Sequence, residues 1–203
     1  MVFRGRIRPL LSFWKQELTF LLPIYNKPLN AVARYFKAEN YQSSLAMVSS
    51  IRNWVNSNSI HLIDDEHDSY AFHVPTAVRK AHHFWLSGKD RPHLSCGPRS
   101  YVMKEILNRL DIQSRVIDLF FIDENCVPDS HTLLEVFDCD TQRWHLEDPD
   151  FNVRYIDKIS GEPISLYWAF GNPSQIGYEC DIGDIENIIN LKGTVEDFFV
   201  LAA

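Results

Sequence analysis

The sequence has no CxxC pair, no Asn-x-Ser/Thr acceptor, no long apolar run and no excess of positive charge. Each absence excludes a class. Four cysteines without close pairing support neither a zinc ribbon nor a dithiol redox site. Four cysteines in 203 residues are also too sparse for a disulfide scaffold, and they fit a reduced, cytoplasmic setting. Asn172-Pro173-Ser174 is the nearest approach to a glycosylation acceptor, and its proline rules it out. The N-terminus begins as a secretory leader would, with Arg4, Arg6 and Arg8 before Leu10 and Leu11. Lys15, Gln16 and Glu17 then break the apolar run, so no leader and no membrane span is expected. A spanning helix needs roughly 18 or more apolar residues. The net charge of −7, with 20 basic residues scattered along the chain, gives no footprint for nucleic acid.

What is present is ample material for a core: 45% hydrophobic residues, 13% of the chain being aromatic. Pro9, Pro23 and Pro28 predict only short helices in residues 1–40, read as a helical extension, with an amphipathic stretch over 10–24. Residues 41–203 are read as the main domain, the whole forming one unit. Leu45, Val48, Ile51, Arg52 and Val55 fall on one stripe and predict a helix over 41–56. Asp64 to Asp68 reads as an exposed acidic loop. A second helix is predicted over 75–86, with Val78, Ala81 and Trp85 inward and Gly88 as its stop. A third begins at Cys96 and turns Tyr101, Val102, Ile106, Leu107 and Leu110 inward. The period then changes to two. Strands are predicted over 115–122, 131–137 and 143–147, shorter ones near 151–157 and 164–169, and a last helix over 185–191. Helices followed by strands indicate an α+β class.

Cys96 opens its helix, where unpaired amides and the helix dipole favour thiolate over thiol. His131 opens one strand and Asp148 closes the next. A cysteine, an imidazole to hold its proton and a carboxylate to orient that imidazole are the parts of a nucleophilic triad. A hairpin turning symmetrically about residue 140 would set position 131 opposite 149 and 132 opposite 148. A bulge or asymmetric turn is therefore needed to bring His131 and Asp148 onto one face. Glu147 and Asp150 are rival acids, and His145 and His93 rival bases. The bland reading of Cys96 is a buried, inert thiol. His82-His83 is not a metal pair, because adjacent helix residues diverge by about 100°.

Several motifs together resemble the transglutaminase-like superfamily of papain-like cysteine enzymes. Cys96-Gly97, then Leu110-Asp111-Ile112 and Arg115-Val116, is similar to its catalytic cysteine, helix and first strand. Ser130-His131-Thr132-Leu133-Leu134-Glu135-Val136 resembles its histidine strand, Trp144 to Pro149 its Trp…Asp-Pro ending, and Ile51 to Val55 its preceding helix. The resemblance covers residues 45–155. It implies N-terminal helices on an antiparallel sheet, with Cys96 as nucleophile, His131 as base and Asp148 as orienting acid. It implies acyl transfer or amide hydrolysis through a thioester, on a protein, peptide or small amide, with no cofactor and no metal required. Two alternatives remain: a catalytically silent domain of this fold acting as a binding or assembly module, and a peptide:N-glycanase relative. The second usually adds zinc-binding cysteines that this chain lacks.

Overall fold

The change of hydrophobic period after Leu110 is a change of layer. The computed structural model describes residues 23–122 and 128–180. Helices α1 (Pro23–Ala38), α2 (Ser44–Ser57), α3 (Asp65–Tyr70), α4 (Val74–Ser87) and α5 (Cys96–Arg109) come first. Strands β1 (Ser114–Ile122), β2 (Pro128–Asp138), β3 (Arg143–Asp148) and β4 (Val153–Asp157) follow, then helix α6 (Leu166–Gly171), a short 3-10 turn and β5 (Ile176–Glu179). The strands form one antiparallel sheet in the order β1-β2-β3-β4-β5. The architecture is α+β.

Both sheet faces are covered. Val32, Phe36, Ile51, Val78, Met103, Ile106 and Leu107 from the helices bury Leu134 and Val136 on one face. On the other, Leu119, Leu133, Leu146 and Tyr155 pack with Ile164 and Ala169. Alternation along β2 thus feeds two cores, as the period of a strand requires. In α5 the inward set is Val102, Met103, Ile106 and Leu107, while Tyr101 is exposed. The stripe in α5 therefore includes Met103 in place of Tyr101.

Three expectations are corrected. Residues 1–40 do hold a long helix: α1 has 16 residues and runs through Pro28. An interior proline costs about 3 kcal/mol, but α1 buries Leu29, Val32 and Phe36, each contributing about 1.5–3 kcal/mol. The acidic segment is not a loop. Asp64 caps α3 by accepting the His67 N–H at 2.9 Å, and its acidic first turn suits a helix N-terminus. The stretch 164–169 is not a strand, because Ser165 caps α6 through the Trp168 N–H at 3.2 Å. Its cap outweighs the β-propensity of its aromatic residues. The helix predicted over 185–191 and most of the 10–24 stretch lie outside the described residues.

The turn between β2 and β3 supplies the asymmetry the site needs. Residues 139–142 connect Asp138 to Arg143, which pair directly. Asp138 accepts from the Asp140 N–H at 3.0 Å and the Thr141 hydroxyl at 2.6 Å, and Gln142 takes a positive φ of 58°. The resulting register pairs Leu134 with Glu147. Carried one residue further, it sets Asp148 opposite Leu133, on the face that His131 shares with Leu133. The two are diagonal neighbours on one face.

Candidate active site

Cys96 is the first residue of α5 and half-buried. Ser95, the N-cap residue, does not cap with its side chain; its Oγ instead lies 2.9 Å from His67 Nε2. Pro98, at the third helical position, has no N–H to offer. The Ser95 hydroxyl therefore leaves the Cys96 and Gly97 amides uncovered at the positive end of the helix.

His131 lies on β2 between β1 and β3, paired with Leu119. Its Nε2 is 2.6 Å from Asp148 Oδ2, and its ring stacks on Phe151 at 4.7 Å between centroids with 9° between planes. A ring nitrogen also lies within 4.8 Å of the Cys96 sulfur. With Nε2 on the carboxylate, Nδ1 is the nitrogen left for the sulfur. Burial alone would push the His131 pKa down. The Asp148 carboxylate and Cys96 outweigh it and raise the value well above the ordinary imidazole range.

Asp148 is fully buried. Its Oδ1 accepts the Asp150 N–H at 2.9 Å and the Phe151 N–H at 3.1 Å, and its Oδ2 accepts the Tyr155 hydroxyl at 3.0 Å. Burial would raise its pKa, but His131 and these donors reverse that and hold it below the usual carboxylate value. Cys96, His131 and Asp148 thus meet where the N-terminus of α5 reaches the sheet.

The rival residues are engaged elsewhere. Glu147 is on the helix-facing side of β3, bound to Arg52 and Arg154 with His145 at 3.2 Å. His93 pairs with Asp64 at 2.8 Å. His82 packs beside Trp85. Asp150 is a different case: its carboxylate is held by Arg99 and His61, yet it lies close to both Cys96 and His131. Cys139 is exposed, Cys180 packs against the second core, and Cys126 lies outside the described residues.

Sequence reasoning missed Tyr155, Phe151, His61, His67 and Arg99. Only Tyr155 left a readable signal. Asp148 pairs with Val153, so Val153 and Tyr155 share its face by strand alternation. Arg99 and Phe151 lie three residues beyond Cys96 and Asp148, but their inward aim depends on tertiary packing, and His61 and His67 arrive from segments distant in sequence.

No protein-family profile matches the sequence, and no curated protein matches it either. Among solved structures, one from Cytophaga hutchinsonii, provisionally assigned as a cysteine protease, is similar at 15% identity and a TM-score of 0.44. The similarity covers 85% of this chain and 54% of that one, so the chain spans about half its length. Among the described residues no helix is long and apolar enough to cross a membrane.

Proposed function

We propose that the protein is a cysteine-dependent amide hydrolase with a transglutaminase-like arrangement of its site. The supporting observation is His131, fixed at 2.6 Å from buried Asp148 and with a ring nitrogen within 4.8 Å of the sulfur of the helix-start Cys96. In this reading the Cys96 sulfur attacks the carbonyl carbon of an amide while His131 holds the thiol proton. The Cys96 N–H donates to the oxyanion that forms. Collapse of the tetrahedral intermediate breaks the C–N bond, and His131 gives its proton to the departing amine. A thioester remains on Cys96. Water, losing a proton to His131, attacks it and releases the acid and the thiol. An amine in place of water would give acyl transfer by the same steps. Water is the preferred acceptor because crosslinking needs a shaped amine site.

Alkylation tests the assignment without knowledge of the substrate. The protein, held in chelator, is treated with limiting iodoacetamide at pH 6.5, and each cysteine is read by mass spectrometry. Cys96 should react at least tenfold faster than Cys139 or Cys180, and His131→Ala should remove that advantage. Equal rates at all three thiols, unaffected by the substitution, would leave a binding or assembly module.

A further inference from the structure

Asp150 is the acid that the triad does not use. Its side chain is 1% exposed, yet it sits beside the nucleophile. Arg99 Nη1 donates to its Oδ1 at 2.9 Å, and His61 Nδ1 lies 2.7 and 2.9 Å from its two oxygens. One of its oxygens, a ring nitrogen of His131 and the Cys96 sulfur all lie within 4.8 Å of one another. A thiolate, an imidazole and a carboxylate converging in this way form a donor set for a borderline-soft, tetrahedral cation. Bonds of about 2.0–2.3 Å to such an ion ask these atoms to close by only about 1 Å.

The surroundings fit this use. Asp148 on Nε2 directs Nδ1 toward the cluster, and a carboxylate behind a ligating imidazole is the usual outer partner of a metal-bound histidine. Arg99 and His61 hold the Asp150 carboxylate in orientation in the same manner. Charge also closes. The Cys96 thiolate, Asp148 and Asp150 are three anions against the Arg99 cation, and a divalent ion replacing the proton on His131 brings the group to neutrality. Three protein ligands leave a fourth position open for water, as in exchangeable sites and unlike closed structural ones.

We infer that Cys96, His131 and Asp150 form a binding site for a zinc-class divalent cation that occludes the nucleophile. The ion takes the sulfur lone pair needed for attack and the ring nitrogen needed for the proton, so occupancy and turnover exclude each other. Binding stands on the donor geometry alone. The inhibitory consequence rests on the cysteine-hydrolase reading above.

Cobalt(II) reports the site independently of any activity. Metal-free protein titrated with Co²⁺ should bind one equivalent, giving a near-ultraviolet thiolate-to-cobalt charge-transfer band and the visible bands of tetrahedral cobalt. Zn²⁺ should displace it and protect Cys96 from alkylation. Cys96→Ala should lose the charge-transfer band, and Asp150→Asn should weaken binding by about tenfold or more. Should Asp150→Asn not fold, Asp150→Glu retains the charge facing Arg99 while displacing the oxygen, and must shift the cobalt spectrum or affinity. No charge-transfer band, or one indifferent to both Asp150 substitutions in folded protein, overturns the site. A cobalt site in a protein whose Cys96 alkylation in chelator ignores His131 would keep the metal inference and sink the hydrolase. His131-dependent alkylation without cobalt binding would do the reverse.

Discussion

Asp148 uses both carboxylate oxygens, and each has a distinct task. Oδ1 takes two backbone N–H groups of the turn after β3, which fixes the carboxylate to the chain; Oδ2 takes His131 and Tyr155. The imidazole is then held by the carboxylate below and by the face of Phe151 beside it. Tyr155→Phe removes one donor from a buried charge, at a cost of about 1.5–3 kcal/mol, read from the urea midpoint. His131 keeps its partner, so Cys96 alkylation at pH 6.5 should change less than tenfold. Asp148→Asn keeps the shape and removes the charge that favours imidazolium, a change of about one to three pKa units for a group beside an opposite charge. Cys96 alkylation should then fall by about tenfold or more. If the two variants had equal effects on alkylation, Asp148 would be a structural anchor and not an orienting acid.

Adjacent residues of β3 serve opposite sides of the sheet. Asp148 faces His131, while Glu147 turns to the helices, bound to Arg52 of α2 and, at 2.6 Å, to Arg154 of β4. All three side chains are buried. Glu147→Gln would leave two buried guanidiniums without their shared anion, a loss of about 3–5 kcal/mol measurable by denaturant unfolding. Burial opposes ionisation of Glu147, but Arg52 and Arg154 overcome it and lower its pKa from 4.5 to about 2. A carboxylate depressed in the folded state gives stability present above its unfolded pKa and lost as pH falls through its folded one. The urea midpoint should therefore drop between about pH 4.5 and pH 2, and drop less steeply in Glu147→Gln. Arg52 was legible as part of a helical stripe, because 3.6-residue spacing is local. Its partner was not, since Glu147 lies across a sheet whose pairing no local pattern states. The same limit governs His131 and Asp148: the sequence assigns them to successive strands, but their common face depends on the turn held by Asp138 and Gln142.

At the scale of the whole molecule the site is a joint between layers. Cys96 belongs to the helices, at the start of α5, and His131 and Asp148 belong to β2 and β3. Helix starts and alternating strands are read from residues close in sequence, so both layers, and the places of Cys96, His131 and Asp148 on them, are visible in outline. The helix within residues 1–40 and the cap of α6 were not, because burial of Leu29, Val32 and Phe36 and one Ser165 hydrogen bond decided them against local propensity. Docking of α5 rests on Val102, Met103, Ile106 and Leu107, all fully buried beneath Leu134 and Val136 of β2. Leu133, next along β2, is fully buried in the second core. One strand therefore ties both cores to His131, and the site should persist until both melt. In a urea series, the His131-dependent excess in Cys96 alkylation should vanish within the same transition as far-ultraviolet circular dichroism. Ile106→Ala should shift both midpoints together, with a cost of about 2–5 kcal/mol. Loss of the excess at clearly lower urea would mean that the start of α5 opens on its own, and the helix–sheet joint would then be a local contact and not the product of the common core.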